Sequence, residues 1–158
     1  MFSRILLRFA LAVSVFGLQP SAFGDPTVSV AAASNFIHAL DALNAEFKRT
    51  APDIAVTTAT GASGSLYAQI KQGAPFDVFL SADTEYPGQI VAQGLGPAGS
   101  LRTFATGRLV VWTTRTDLDL NDPAAVVRAA TVRKIAIAQP RTAPYGRAAQ
   151  AALEKLGK

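Results

Sequence analysis

From Thr27 onward, short apolar runs take turns with longer stretches in which apolar residues recur every three or four positions. That alternation constrains the chain most. A strand–helix–strand rhythm is satisfied by a mostly parallel sheet covered on both faces by helices. Thr27–Ala32 reads as a strand, and Ile37, Leu40, Leu43 and Phe47 then mark one face of an amphipathic helix over Phe36–Arg49. Ile54–Thr58 reads as the second strand. It is followed by Gly61-Ala62-Ser63-Gly64-Ser65 and a short helix through Leu66, Tyr67 and Ile70. Asp77–Leu80 reads as a buried strand, and Ser81-Ala82-Asp83 caps a helix running to about Gln93.

Gly94 to Ser100, "GLGPAGS", interrupts this rhythm with glycine and proline, which places a domain crossing there. Beyond it, Leu101–Ala105 and Leu109–Thr114 read as strands, and Pro123 at the first helical position opens a helix through Val126 and Val127. Lys134–Ala138 is expected to be a strand, and "QPRTAPYG" leads into a last helix over Arg147–Leu156. The organisation expected is a leader over residues 1–24, a first lobe over 25–95 and an incomplete second lobe over 96–158.

The leader is a secretory signal peptide. Arg4 and Arg8 form its basic start, Phe9 to Leu18 its apolar middle, and Ala22-Phe23-Gly24 a small-x-small cleavage site before Asp25. The apolar stretch is short for a transmembrane helix, and an uncleaved anchor is the alternative. Without Arg4 and Arg8 the 15 basic residues fall to 13 against 11 acidic, so the formal charge drops from +4 to +2. No run of Lys and Arg with interleaved aromatics occurs, which argues against a nucleic-acid partner. There is no cysteine, so an oxidising compartment is tolerated and thiolate metal sites are excluded.

Three strand-to-helix junctions share a chemical character: Ser34-Asn35, Ser63-Gly64-Ser65 and Tyr145-Gly146. In open α/β sheets ligands gather at the carboxyl ends of strands. A helix start offers free N–H groups which, joined by a serine hydroxyl, make a neutral cluster of donors favouring negative charge. Ser34 and Asn35 are equally good helix caps, and "GASGS" reads equally well as a flexible loop with a cap. Gly61 and Gly64 would let a ligand approach the backbone closely. The P-loop spacing G-x-x-x-x-G-K-[ST] is absent.

An enzyme is harder to assemble. His38 is the single histidine and falls within the first helix, where a packed or solvated role is the ordinary one. Asp77 and Asp83 lie at the two ends of "DVFLSAD", and Asp83 suits a helix cap. No G-x-S-x-G elbow surrounds a serine, and one His with no Cys leaves no zinc constellation. Asp117, Asp119 and Asp122 lack the Gly and terminal Glu of a calcium loop and read as a solvated turn.

Taken together, "VAAASNF", "GASGSLYAQIKQGAPFDVFLSAD", "GRLVVWT" and "AIAQPRTAPYGRAAQAALEKLG" resemble the periplasmic molybdate-binding proteins of bacterial ABC importers, from about Thr27 to the last residue. The resemblance implies a type II periplasmic binding protein, a two-lobed Venus-flytrap of mostly parallel sheets with flanking helices. It implies no catalysis, no cofactor and no direct protein–metal bond. The ligand is molybdate or tungstate, and the partner a membrane permease; the protein is a periplasmic monomer. Carried over by position, the ligand set is Ser34 and Ser63 through hydroxyl and N–H, Asn35, and Tyr145 through its backbone N–H. The family continues past the last residue here, adding the rest of lobe two and two further ligands. The resemblance therefore implies a truncated chain that binds weakly. Alternatives are a binding protein for sulfate or another oxyanion, a secreted hydrolase using Ser63, and a non-functional remnant.

Overall fold

Three parallel strands carry the fold, in the order β2-β1-β3. In the computed structural model residues 26–157 are described, so the expected signal peptide over residues 1–24 lies outside the described residues. The first strand, β1, is Thr27–Ala33. A 3-10 turn over Ser34–Phe36 leads from it into α1, Ile37–Thr50. Next come β2 (Ala55–Gly61), α2 (Ser63–Lys71), β3 (Val78–Leu80) and α3 (Glu85–Ala92). The short α4 (Pro123–Arg128) and the longer α5 (Pro144–Lys155) follow. Each crossover between parallel strands is a helix, as the rhythm of the sequence requires.

β1 is the central strand, and its second half is buried on both faces. Val30, Ala31, Ala32 and Ala33 are all buried, which explains why this strand ends as a continuous apolar run rather than an alternating one. Val30, Ala32 and Leu40 form the core cluster, with Val28, Phe36, Val56 and Leu80 packed against it. Removing a side chain like that of Leu40 from water contributes about 1.5–3 kcal/mol.

Local signals set the helix ends. Pro52 stops the chain from continuing α1, and the Ala51 N–H closes back on the Phe47 carbonyl. Gly94, at φ +70°, turns the chain out of α3 and donates to the Val91 carbonyl. The helix α4 opens with Asp122, whose Oδ1 accepts the Ala125 N–H at 2.9 Å, followed by Pro123.

Several sequence expectations need correction. Residues 101–105, 109–114 and 134–138 join no ladder among the described residues, although each was expected as a strand. A strand is defined by its neighbour, and among the described residues these segments pair with none. Their apolar side chains are accordingly open, with Val110 83% and Trp112 78% exposed. The helices α2 and α5 begin at Ser63 and Pro144, earlier than expected, so the glycines at 64 and 146 lie inside first turns. Ser34 is not a cap. The strand β1 runs through Ala33, so the helical turn begins at Ser34 itself, and neither this turn nor α1 has a side-chain cap hydrogen bond.

Candidate functional site: a cleft at the carboxyl edge of the sheet

The strand register brings two of the three junctions side by side. Ala33 pairs with Gly61 and Ala32 with Leu80, so the residues after β1, β2 and β3 all emerge at one edge. The α5 mouth is tied to the same place from a distant part of the chain, since the Gly64 N–H donates to the Thr142 carbonyl at 2.9 Å.

Beside this edge lies an open cleft of about 750 Å³, far larger than one tetrahedral oxyanion. Asn35 and Tyr145 line it, together with Ser81, Ala82 and Asp83 from the β3–α3 turn; Ser34 and Ser63 do not. Ser34 is exposed, while Ser63 is buried, and its Oγ accepts the Ala82 N–H at 3.0 Å. With that lone pair engaged, the hydroxyl hydrogen of Ser63 is left to donate elsewhere. No hydrogen bond joins Ser63 Oγ to His38 among the described residues, and His38 lies exposed on α1.

Glycines shape the edge, but differently from the expected close approach of a ligand. A Cβ on Gly64 would meet Tyr86 Oη at 2.6 Å and the Thr142 carbonyl at 3.1 Å, so it is the chain itself that approaches there. At Gly61 a Cβ would make only ordinary contact with Leu66, at 3.5 Å. Gly146 is buried, and a Cβ there would run into the Ala138 carbonyl oxygen. At Gly107 one would strike the Tyr145 hydroxyl.

Arg102 lines the cleft and donates to the Gly99 and Leu101 carbonyls, while the carboxylates of the β3–α3 turn meet a cation that sequence reading did not single out. Arg147 in α5 donates from Nη2 to Asp83 Oδ2 at 2.6 Å and to Glu85 Oε2 at 3.1 Å, and from Nη1 to Tyr86 Oη at 2.9 Å. Its guanidinium also stands 5.1 Å from the Tyr86 ring centroid. The hydrogen bond to Tyr86, then the charges around it, hold Arg147 above the usual arginine range against its partial desolvation. Asp83 was expected as the helix cap, but Thr84 occupies the cap position of α3; Asp83, one residue earlier, accepts the Tyr86 N–H on Oδ1 at 3.2 Å and the Ser81 hydroxyl at 3.0 Å. Asp77 is turned to a separate task, accepting the Ser29 N–H at 2.7 Å. Asp117 pairs with Arg115, and Asp119 accepts from Asn121, so the three aspartates of that turn are engaged locally. Among the described residues no three of His, Cys, Asp and Glu gather as a metal site requires.

A parallel sheet with helix mouths around a cleft at its carboxyl edge is the arrangement of a ligand-binding protein. The chain belongs to the family described as bacterial extracellular solute-binding protein, whose family model matches residues 28–157. It is 38% identical over 152 residues to the molybdate-binding protein ModA of Azotobacter vinelandii, covering 96% of this chain and 59% of that protein. It is 42% identical over 149 residues to ModA of Rhodobacter capsulatus, covering 94% of this chain and 57% of that protein. The chain thus spans somewhat more than half the length of these relatives. The solved structure titled Azotobacter vinelandii periplasmic molybdate-binding protein superimposes with a TM-score of 0.75 at 39% identity, over 82% of this chain and 55% of that one. The type II periplasmic binding-protein architecture expected from the sequence is therefore the architecture of this chain.

Proposed function

We propose that the chain is the periplasmic solute-binding component of an ABC importer and binds molybdate, or tungstate, for delivery to a membrane permease. The observation that carries this reading is the convergence of helix mouths at the carboxyl edge of β1–β3, beside a cleft that offers uncharged donors. The names of the two curated relatives support the choice of molybdate among oxyanions. Ser34, Asn35, Ser63 and Tyr145 are the proposed ligands, with residues 25–95 and 96–158 contributing from two lobes. The protein acts as a monomer and has no catalytic role. Ser63 accepts the Ala82 N–H, and its hydroxyl hydrogen remains for donation to the anion.

A site of donors suits an unprotonated dianion. Phosphate near neutral pH keeps a proton and requires an acceptor. Of the two carboxylates that line the cleft, Asp83 is already held by Arg147 and its own turn, and Asp77 by the Ser29 N–H. Molybdate and sulfate are separated by size alone.

Calorimetric titration of the exported protein with molybdate, tungstate, sulfate and phosphate tests the reading. Molybdate and tungstate are expected to bind far more tightly than phosphate, and phosphate rivalling molybdate would overturn the assignment. Ser63→Ala removes one charge-assisted hydrogen bond, worth about 1.5–3 kcal/mol, or roughly tenfold to a hundredfold in affinity. Unchanged affinity in a folded Ser63→Ala protein would strike Ser63 from the ligand set.

A further inference from the structure

Asp83 places a carboxylate on the wall of the same cleft in which the reading above places a dianion. Its side chain is 18% exposed, so its charge is only partly screened by water. Left alone, it would repel the ligand. The guanidinium that cancels it comes from 64 residues further along the chain.

We propose that Arg147 is a positioning residue for the anion site: it neutralises Asp83 at the cleft wall and locks the Ser81–Asp83 turn, so that Ala82 keeps Ser63 turned as a donor. The inference rests on the oxyanion reading for its effect on binding, and on geometry alone for its effect on the turn. The connection runs through named bonds. Arg147 holds Asp83 Oδ2, Asp83 Oδ1 holds Ser81 Oγ, and the adjoining Ala82 N–H rests on Ser63 Oγ. Arg147 lies two residues past Tyr145, so its side chain ties the mouth of α5 to that of α3, and the Ala82–Ser63 bond carries the connection on to α2.

The surroundings are built for this side chain. Tyr86 is buried between Gly64, whose missing Cβ makes room for its hydroxyl, and the Arg147 guanidinium that hydrogen-bonds it and lies over its ring. Three partners in different directions, Asp83, Glu85 and Tyr86, match the planar fork of arginine; the point charge of a lysine cannot serve all of them at once. Two carboxylates meet one guanidinium, so Arg147 itself presents no unpaired positive charge to the cleft.

The test compares the wild type with Arg147→Gln, Arg147→Lys and the double variant Arg147→Gln/Asp83→Asn. Molybdate is titrated calorimetrically at low and high sodium chloride, and hydrogen exchange of the Ala82 amide is followed without ligand. Arg147→Gln is expected to lose roughly tenfold to a hundredfold in affinity, and added salt should return part of the loss by screening Asp83. The double variant should recover most of it, since asparagine keeps the Oδ1 acceptor and drops the charge. Arg147→Lys should fall between, and Ala82 should exchange faster in both single variants. Wild-type affinity in Arg147→Gln would overturn the inference. So would an unrecovered, salt-independent loss with Ala82 exchange unaltered. Should Arg147→Gln not fold, Arg147→Lys decides, with unchanged affinity and unchanged Ala82 exchange as the refuting result. A wild type that ignores molybdate would instead remove the oxyanion reading, and Ala82 exchange alone would then support or refute the locking of the turn.

Discussion

Replacing Gly146 with alanine sets two effects of opposite sign against each other. The residue sits inside α5, where alanine is preferred to glycine by about 0.8–1 kcal/mol. Helix propensity alone therefore says that the substitution stabilises. Packing says the reverse. A Cβ at this position would overlap the Ala138 carbonyl oxygen and come within 2.8 Å of Ala138 C and of Gln139 C. These are backbone atoms, so no side chain can rotate away, and either α5 or the 138–139 segment has to move. Overpacking of this kind costs about 1–3 kcal/mol, and the backbone nature of the clash puts it at the upper end. After the propensity gain the net loss is about 2 kcal/mol, or roughly 4–8 °C in Tm for a chain of this size. Gly88 is the internal control. It too is helical, within α3, but a Cβ there meets nothing within 4 Å, so Gly88→Ala should raise Tm by roughly 1–4 °C. Thermal unfolding followed by far-ultraviolet circular dichroism on the two variants and the wild type gives both signs. A Gly146→Ala protein as stable as the wild type, or more so, would refute the packing argument and leave helix propensity in charge.

Loss of the Asp122 cap should destabilise Asp122→Ala by about 1 kcal/mol, because the Ala125 N–H loses its acceptor, while Asp122→Asn should stay near wild type in denaturant unfolding. Asp117 is held below the ordinary aspartate range, chiefly by its hydrogen bond from Arg115. Its folded-state pKa is thus depressed. Its small stabilising contribution is present above the unfolded pKa and lost as pH falls through the folded one. Carboxyl-carbon NMR titration should show Asp117 protonating at lower pH in the wild type than in Arg115→Gln, and coincident midpoints would contradict the pairing.

Much of the fold could be read because periodicity is local. The first half, from Thr27 to Ala92, announces each element within its own ten residues, and β1, β2, β3 and the intervening helices stand where their apolar patterns put them. Residues 101–114 and 134–138 misled for the same reason. Their β-branched and aromatic content describes a surface suited to pairing, whereas a ladder also requires a neighbour, which local composition does not supply. Ser34 shows a similar limit at the scale of one residue, since extending β1 by a single alanine moves it from the cap position into the turn. The Arg147–Asp83 pair was invisible for another reason. Nothing in "PYGRAA" or "LSADTE" encodes that they meet, because the partner is selected by how α5 folds back. The one available hint was Gly64, whose lack of a side chain admits Tyr86 to the junction where Arg147 arrives.

The openness of residues 101–113 has an optical consequence. Trp112 is the single tryptophan of the chain, and it stands 78% in water rather than in the cleft or the core. Its emission is expected to be that of a hydrated indole, quenched by iodide, and it reports on a segment that joins no ladder among the described residues. The indole does not line the cleft, although residues 101–107 of the same segment do. Tryptophan fluorescence therefore watches a part of this molecule away from the cleft wall, and heat or nuclear resonance has to do the watching instead.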